Sequence, residues 1–205
     1  MTRRKGDGVR RKAGSKNRER SSSSSAGASS LSELPAWDAS SGLLHVIVDT
    51  PKGSRIKFKW DLAKRCHTIS HILPPGTVFP FDFGSIPRTS AEDGDPLDVL
   101  ILVEEPSFVG CLVPVRLIGV VEADQTQEGM TFRNDRLIGA AEKSRTYSDM
   151  LTVEDVPDHL LREIEHFFVS YNEERGRVFK VLGRFGPDRA VRLVDAGEQR
   201  FPGKR

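Results

Sequence analysis

From residue 43 onward the chain alternates short apolar runs with Gly, Pro and polar breaks. Residues 43–50 (LLHVIVDT) predict a strand, closed by a turn at 51–54 (PKGS). Residues 55–60 (RIKFKW) alternate strictly. A regular strand there sets Ile56, Phe58 and Trp60 on one face and Arg55, Lys57 and Lys59 on the other. Residues 67–73 (HTISHIL) predict a further strand, stopped by 74–76 (PPG). At 78–84 (VFPFDFG) three phenylalanines alternate with Pro80 and Asp82, which reads as a hydrophobic plug under a loop. Apolar runs at 99–103 and 112–123 predict two more strands, followed by a polar hairpin over 124–131 and a strand over 133–141 (RNDRLIGAA).

The period then changes. Leu160, Leu161, Ile164, Phe167, Phe168 and Tyr171 form a helical stripe within 157–174. Asp155 is the expected N-cap, Pro157 sits in the first turn, and Gly176 is the expected stop. A strand (177–185) and a short helix (about 188–196) follow. Strands first and helices later predict an α+β domain, and closely spaced strands with Gly/Pro turns predict a small barrel.

Composition divides the chain in two. Residues 1–20 hold nine Lys/Arg against Asp7 and Glu19, a charge of +7, which leaves −5 for the remainder of a chain whose net charge is +2. A Ser-rich run follows, and this stretch has too few apolar side chains to offset the entropy of ordering. We read 1–38 as a disordered basic and Ser-rich tail and 39–205 as the folded domain. The tail has three readings: a solubiliser, a polyanion-binding arm for nucleic acid or polyphosphate, or an organelle transit segment. No run reaches the ~18 apolar residues of a membrane span, and no apolar segment near the start resembles a secretory signal. Two cysteines, Cys66 and Cys111, without metal-ligand spacing, fit a reducing compartment, and a cytoplasmic location is expected.

The chemistry concentrates at 92–100 (EDGDPLDVL), where Asp93, Asp95 and Asp98 fall at i, i+2 and i+5 beside an apolar strand. Carboxylates crowded in this way repel one another unless a cation offsets them. Their hard oxygens favour Mg²⁺ or Mn²⁺. The glycine stands at the second position of the loop, where an EF-hand needs it at the sixth, which excludes an EF-hand, and no Walker loop, GxSxG or HExxH is present. The histidines lack metal-ligand spacing. Clustered aspartates opposite a cationic strand suit hydrolysis of a small phosphoanhydride.

EDGDPLDVL closely matches DGDPxDVL, the signature of the soluble family I inorganic pyrophosphatases, and the chain resembles that family from about residue 44 to 185. The resemblance implies an OB-like five-stranded β-barrel flanked by C-terminal helices, Mg²⁺ dependence, hydrolysis of pyrophosphate to two phosphates, and a homo-oligomer. By position, Asp93 and Asp98 match metal ligands, and Asp124 is the nearest candidate for another. Asp95 matches the aspartate that helps activate the attacking water. Lys57 and Tyr171 match phosphate ligands, and Arg136 stands where the family has a lysine.

The chain departs from the family pattern at Asp49 and Lys59 (each a glutamate there), at His71 (an arginine), at Phe83 (a tyrosine), at Asn134 (an aspartate) and at Asn172 (a lysine). If 133–137 is a regular strand, Asp135 faces away from the vacated Asn134 position. Loss of one positioned donor typically costs ~10²–10³ in rate. The departures therefore leave open an alternative, a catalytically weak or inactive phosphate- or polyanion-binding protein of pyrophosphatase type.

Overall fold

The structure is a computed structural model, and it describes Thr2, residues 31–61 and residues 63–202. Among the described residues there are nine strands: β1 (Leu44–Thr50), β2 (Ile56–Asp61), β3 (Cys66–Ile72), β4 (Asp82–Ser85), β5 (Asp98–Leu102), β6 (Leu112–Gln127), β7 (Met130–Arg133), β8 (Arg136–Ala141) and β9 (Val178–Phe185). The same residues include two α-helices, α1 (Asp158–Glu173) and α2 (Pro187–Arg200).

Strands β1, β4, β5, β8 and β6 pair in that order, and β6 pairs back onto β1, so five strands close into a ring. The fold is α+β and OB-like, as expected from the strand spacing and the resemblance. Closure removes the exposed sheet edges that an open five-stranded sheet would leave. The long β6 makes it possible. Its first residues pair β1, its middle pairs β8, and its far end pairs β7 and β9 outside the ring. β2 and β3 form a separate antiparallel hairpin.

Alternation within the ring builds two cores. On β5, Leu100 and Leu102 join the phenylalanines of 79–83 and the α1 residues Leu161, Ile164 and Phe168. Val99 and Ile101 join Leu44, Val46 and Val48 of β1 and Val194 of α2. A strand buried on both faces reads as a continuous apolar run, which is why VLILV has no polar alternation. The phenylalanine plug is buried as expected: Phe79, Phe81 and Phe83 are each at most 4% exposed.

Gly84 on β4 marks a close approach. A Cβ there would press into the Ile47 carbonyl oxygen and sit 2.8 Å from Val46 Cγ1. Gly84→Ala therefore destabilises the domain by about 2–3 kcal/mol, because the obstructing atom is backbone and cannot rotate away. Chemical denaturation of the two proteins measures this.

Several boundaries differ from the sequence expectation. Residues 31–38, assigned to the tail, are structured. Leu31–Glu33 is a 3₁₀ turn, Ala36 is fully buried, and Trp37 bridges Leu44. Residues 3–30 lie outside the described residues. The hairpin expected from residue 124 turns only at Glu128 and Gly129, since pairing with β7 and β9 extends β6. Asp155 does not cap α1, where Pro157 holds the N-cap position. Its carboxylate instead accepts the Leu151 and Thr152 amides in the preceding 3₁₀ turn. No helix among the described residues is long and apolar enough to cross a membrane.

Candidate active site

The acidic segment is a tight loop pinned at its base. Gly94 has a φ of +85°, a left-handed conformation that favours glycine, and this turns the chain between Asp93 and Asp95. The Asp93 carboxylate accepts the Asp95 amide at 3.1 Å, and the Asp95 carbonyl accepts the Ala91 amide at 2.7 Å. At the base, Leu97 N–H donates to Thr89 Oγ1 at 3.0 Å, and Ser90 N–H donates to the α2 carbonyl of Gly197 at 3.0 Å. Helix α2 thus fixes where the aspartates emerge.

Asp98 opens β5 and Arg136 opens β8. These strands are parallel, with Val99 opposite Leu137, so the two preceding side chains stand together at the barrel mouth. Their ion pair measures 2.8 Å. The Arg136 guanidinium is nearly buried against the Phe83, Phe168 and Phe179 rings at 5.2–5.9 Å. It also donates to Asn134 Oδ1 and to the Asp135 carbonyl, and its Nε has no partner among the described residues. Burial pushes the Asp98 carboxyl up. Arg136 and Lys57 pull it down, while Asp49 and Asp93 push it further up.

Lys57 comes from the β2–β3 hairpin. Its Nζ stands 3.7 Å from the centroid of the Phe83 ring, so Phe83 lies between Lys57 and Arg136. Desolvation lowers the Lys57 pKa, opposed by Asp98 and Asp49. The strict alternation of 55–60 is broken by a register shift between Lys57 and Phe58, and Lys57, Phe58, Lys59 and Trp60 all border one cleft. Lys59 Nζ contacts both oxygens of Asp95 at 2.7 Å.

This cleft, about 1170 Å³, is bordered by Asp93, Asp95, Asp98, Lys57, Arg136 and Tyr171, six of the seven residues singled out in the sequence. Asp124 is not among them. On β6 it neighbours Gln125, which does border the cleft, and alternation turns Asp124 away toward Arg133 at 3.7 Å. A smaller cavity of about 180 Å³ adjoins Asp93 and Asp98, and Asp135 borders it. Residues 133–137 are not one strand. β7 ends at Arg133 and β8 starts at Arg136. In the break, Asn134 bonds Gln125 at 2.7 Å, and Asp135 accepts the Ala123 amide at 3.0 Å and pairs with Arg133 at 3.2 Å.

Tyr171 is buried near the end of α1 among Phe79, Phe167 and His71. Burial raises its pKa, and its hydroxyl accepts a hydrogen bond from Arg175 at 3.0 Å. His71 Nε2 has no hydrogen-bond partner among the described residues. Burial lowers the His71 pKa to about 4, helped by Arg175, Lys57 and Arg177. The imidazole is thus neutral in the fold where an unfolded histidine, at 6.5, is half protonated. The unfolded chain takes up this proton first, so the His71 contribution makes the protein less stable as pH falls from about 6.5 to about 4, and it levels off below. NMR titration of His71 with a midpoint near 4 is the expected result.

The sequence reading missed four features. Asp49 receives His67 at 3.0 Å at the cleft wall, Phe83 serves as a cation platform, Lys59 grips Asp95, and Arg175 and Arg177 reach the cleft. Two arginines flanking a helix-stop glycine just after Tyr171 were the available signal for the last.

A hard divalent cation matches the donors in kind: three carboxylates open to one cleft, with Asp98 crowded by two other negative groups. Among the described residues no three His, Cys, Asp or Glu side chains converge as a ready ligand set, and Lys59 and Arg136 each pair with one of the aspartates.

Comparison with known proteins agrees with this layout. The family model described as inorganic pyrophosphatase matches residues 46–202. An inorganic pyrophosphatase of Methanosarcina acetivorans is 35% identical over 156 residues, covering 76% of this chain and 90% of that protein. One from Synechocystis is 32% identical over 165 residues, covering 80% and 95%. The crystal structure of inorganic pyrophosphatase from Thermus thermophilus superposes with a TM-score of 0.76 at 30% identity, covering 85% of this chain and 99% of that one. The ring of five strands, the acidic loop at its mouth and this likeness along nearly the whole domain agree, and the chain belongs to the inorganic pyrophosphatase family.

Proposed function

We propose that the protein hydrolyses inorganic pyrophosphate to two phosphates, with Mg²⁺ as its metal. The observation that carries this is one cleft bordered both by the carboxylates of Asp93, Asp95 and Asp98 and by the donors Lys57, Arg136 and Tyr171. Asp93 and Asp98 would hold the cation. When bound, it supplies charge neutralisation for the phosphate oxygens and acidifies water.

The remaining work belongs to the side chains. Lys57, the unpartnered Arg136 Nε and the Tyr171 hydroxyl present N–H and O–H donors to phosphate oxygens. Asp95 accepts the proton of the attacking water once Lys59 moves off it, and Lys59 is then free to meet the negative charge of the leaving phosphate. Both partners of that pair are about half exposed, so the contact is weak enough to exchange.

The test is phosphate release from pyrophosphate and Mg²⁺ by the full chain, with Asp95→Asn as control. Release no greater than the control, with Mg²⁺ and with Mn²⁺, overturns the reading. The two-oxygen grip of Lys59 on Asp95 favours a second reading, a phosphate-binding protein with little turnover. Tight pyrophosphate binding by calorimetry without phosphate release selects it.

We also infer a homo-oligomer in the cytoplasm. Two free thiols, with Cys66 exposed, fit a reducing compartment. Exposed Met130, Val178 and Leu182 on β7 and β9 fit a contact with a second copy. Light scattering checks the assembly. Nucleic-acid or polyphosphate binding by the basic tail concerns residues outside the described region, and deletion of 1–30 tests it through the salt dependence of binding.

A further inference from the structure

Just past α1 the chain turns through Gly176, which has a φ of +67°. The turn is held by three backbone hydrogen bonds: Arg175 and Arg177 N–H donate to the Asn172 carbonyl at 2.9 and 3.0 Å, and Gly176 N–H donates to the Glu173 carbonyl at 2.9 Å. Arg175 and Arg177 on either side of it both border the cleft. Arg175 reaches Tyr171, with Nη1 at 3.0 Å from the hydroxyl.

Lys59 and Arg136 of the site have acidic partners, but these two arginines do not. Among the described residues no carboxylate lies within 4.0 Å of Arg175, Arg177 or Lys57. Burial lowers the His71 pKa, and the three cations add to that shift. A rigid turn that presents two guanidinium groups toward a cleft, with no carboxylate to meet them, is arranged for an anion that arrives from solution. The cleft also has room for one. Its volume of about 1170 Å³ exceeds the ~300–1,000 Å³ that suits a drug-sized molecule, and pyrophosphate is smaller than that.

We propose that Arg175 and Arg177 form an additional phosphate subsite beyond Tyr171, so that the cleft binds linear polyphosphates of three or more units as well as pyrophosphate. This rests on the reading of the cleft as a pyrophosphate site. Two phosphates lie against Lys57, Arg136 and Tyr171. The third continues past the Tyr171 hydroxyl to the arginine pair, whose planar forks match phosphate oxygens two at a time.

The experiment uses the full chain carrying Asp95→Asn to suppress turnover, with Mg²⁺, and measures pyrophosphate and tripolyphosphate binding by calorimetry. Tripolyphosphate binds at least as tightly as pyrophosphate. Adding Arg177→Gln, alone and with Arg175→Gln, weakens tripolyphosphate by about tenfold or more, as expected for a lost charge-assisted hydrogen bond, and weakens pyrophosphate by a smaller factor. The single Arg177→Gln change leaves the Arg175–Tyr171 contact in place, so a loss there is not a consequence of disturbing Tyr171.

Equal losses for both anions, or no loss for either, overturn the proposal. So does tripolyphosphate binding that is much weaker than pyrophosphate binding before any arginine is changed. Failure of the unmodified chain to release phosphate from pyrophosphate, or binding of neither anion, overturns the pyrophosphate reading itself, and this proposal with it.

Discussion

Asp95→Asn lowers the rate of phosphate release by about 10²–10⁴-fold while the protein stays folded. The amide is nearly isosteric but cannot accept the proton of the attacking water. The stability side follows from exposure. Asp95 and Lys59 have half-exposed side chains at 2.7 Å, and an ion pair of that kind contributes about 1 kcal/mol or less. The substitution therefore separates function from fold, and thermal denaturation beside a phosphate-release assay measures both. A melting temperature that fell along with activity would mean that Asp95 supports the loop and does not take part in the chemistry.

Arg136→Ala has the opposite character, with large losses in both. The guanidinium is nearly buried, meets Asp98 at 2.8 Å, and lies among three phenylalanine rings. Removal leaves Asp98 without its partner and opens a gap against Phe168 and Phe179. Breaking a buried pair costs about 3–5 kcal/mol. The Asp98 side chain keeps 30% of its exposure, which places the loss near 3 kcal/mol. Activity falls by about 10²–10³-fold as a donor to phosphate disappears. Denaturant unfolding and steady-state kinetics check the two losses. Arg136→Lys distinguishes charge from shape: an ammonium restores some of the neutralisation of Asp98, but it cannot reach Asp98, Asn134 and the Asp135 carbonyl together as the planar fork does.

These two predictions mark what local sequence could and could not specify. Asp93, Asp95 and Asp98 were legible because their spacing is local: a glycine and a proline set the loop, and the apolar run behind it has to be a buried strand. The α1 stripe was legible for the same reason, since Leu161, Ile164, Phe168 and Tyr171 recur at helical intervals, whereas the five-strand count of the barrel came from the family resemblance. Asp124 lies off the cleft because its position depends on pairing. The continuation of β6 to Gln127 is set by β7 and β9, and that register turns Gln125, not Asp124, toward the cleft.

By itself the sequence determined the α+β class, the acidic loop, the cationic strand and the aromatic plug, since each is written in residues close together along the chain. Tertiary structure alone decided which of these meet. The parallel register of β5 and β8 joins Asp98 to Arg136 across 38 residues. The hairpin carries Lys59 onto Asp95 and Lys57 onto Phe83. The end of α1 delivers Arg175 and Arg177 to the same cleft. Contacts of that kind depend on barrel closure and strand register, which emerge only when distant segments bury their apolar faces against one another. No pattern within one segment encodes them.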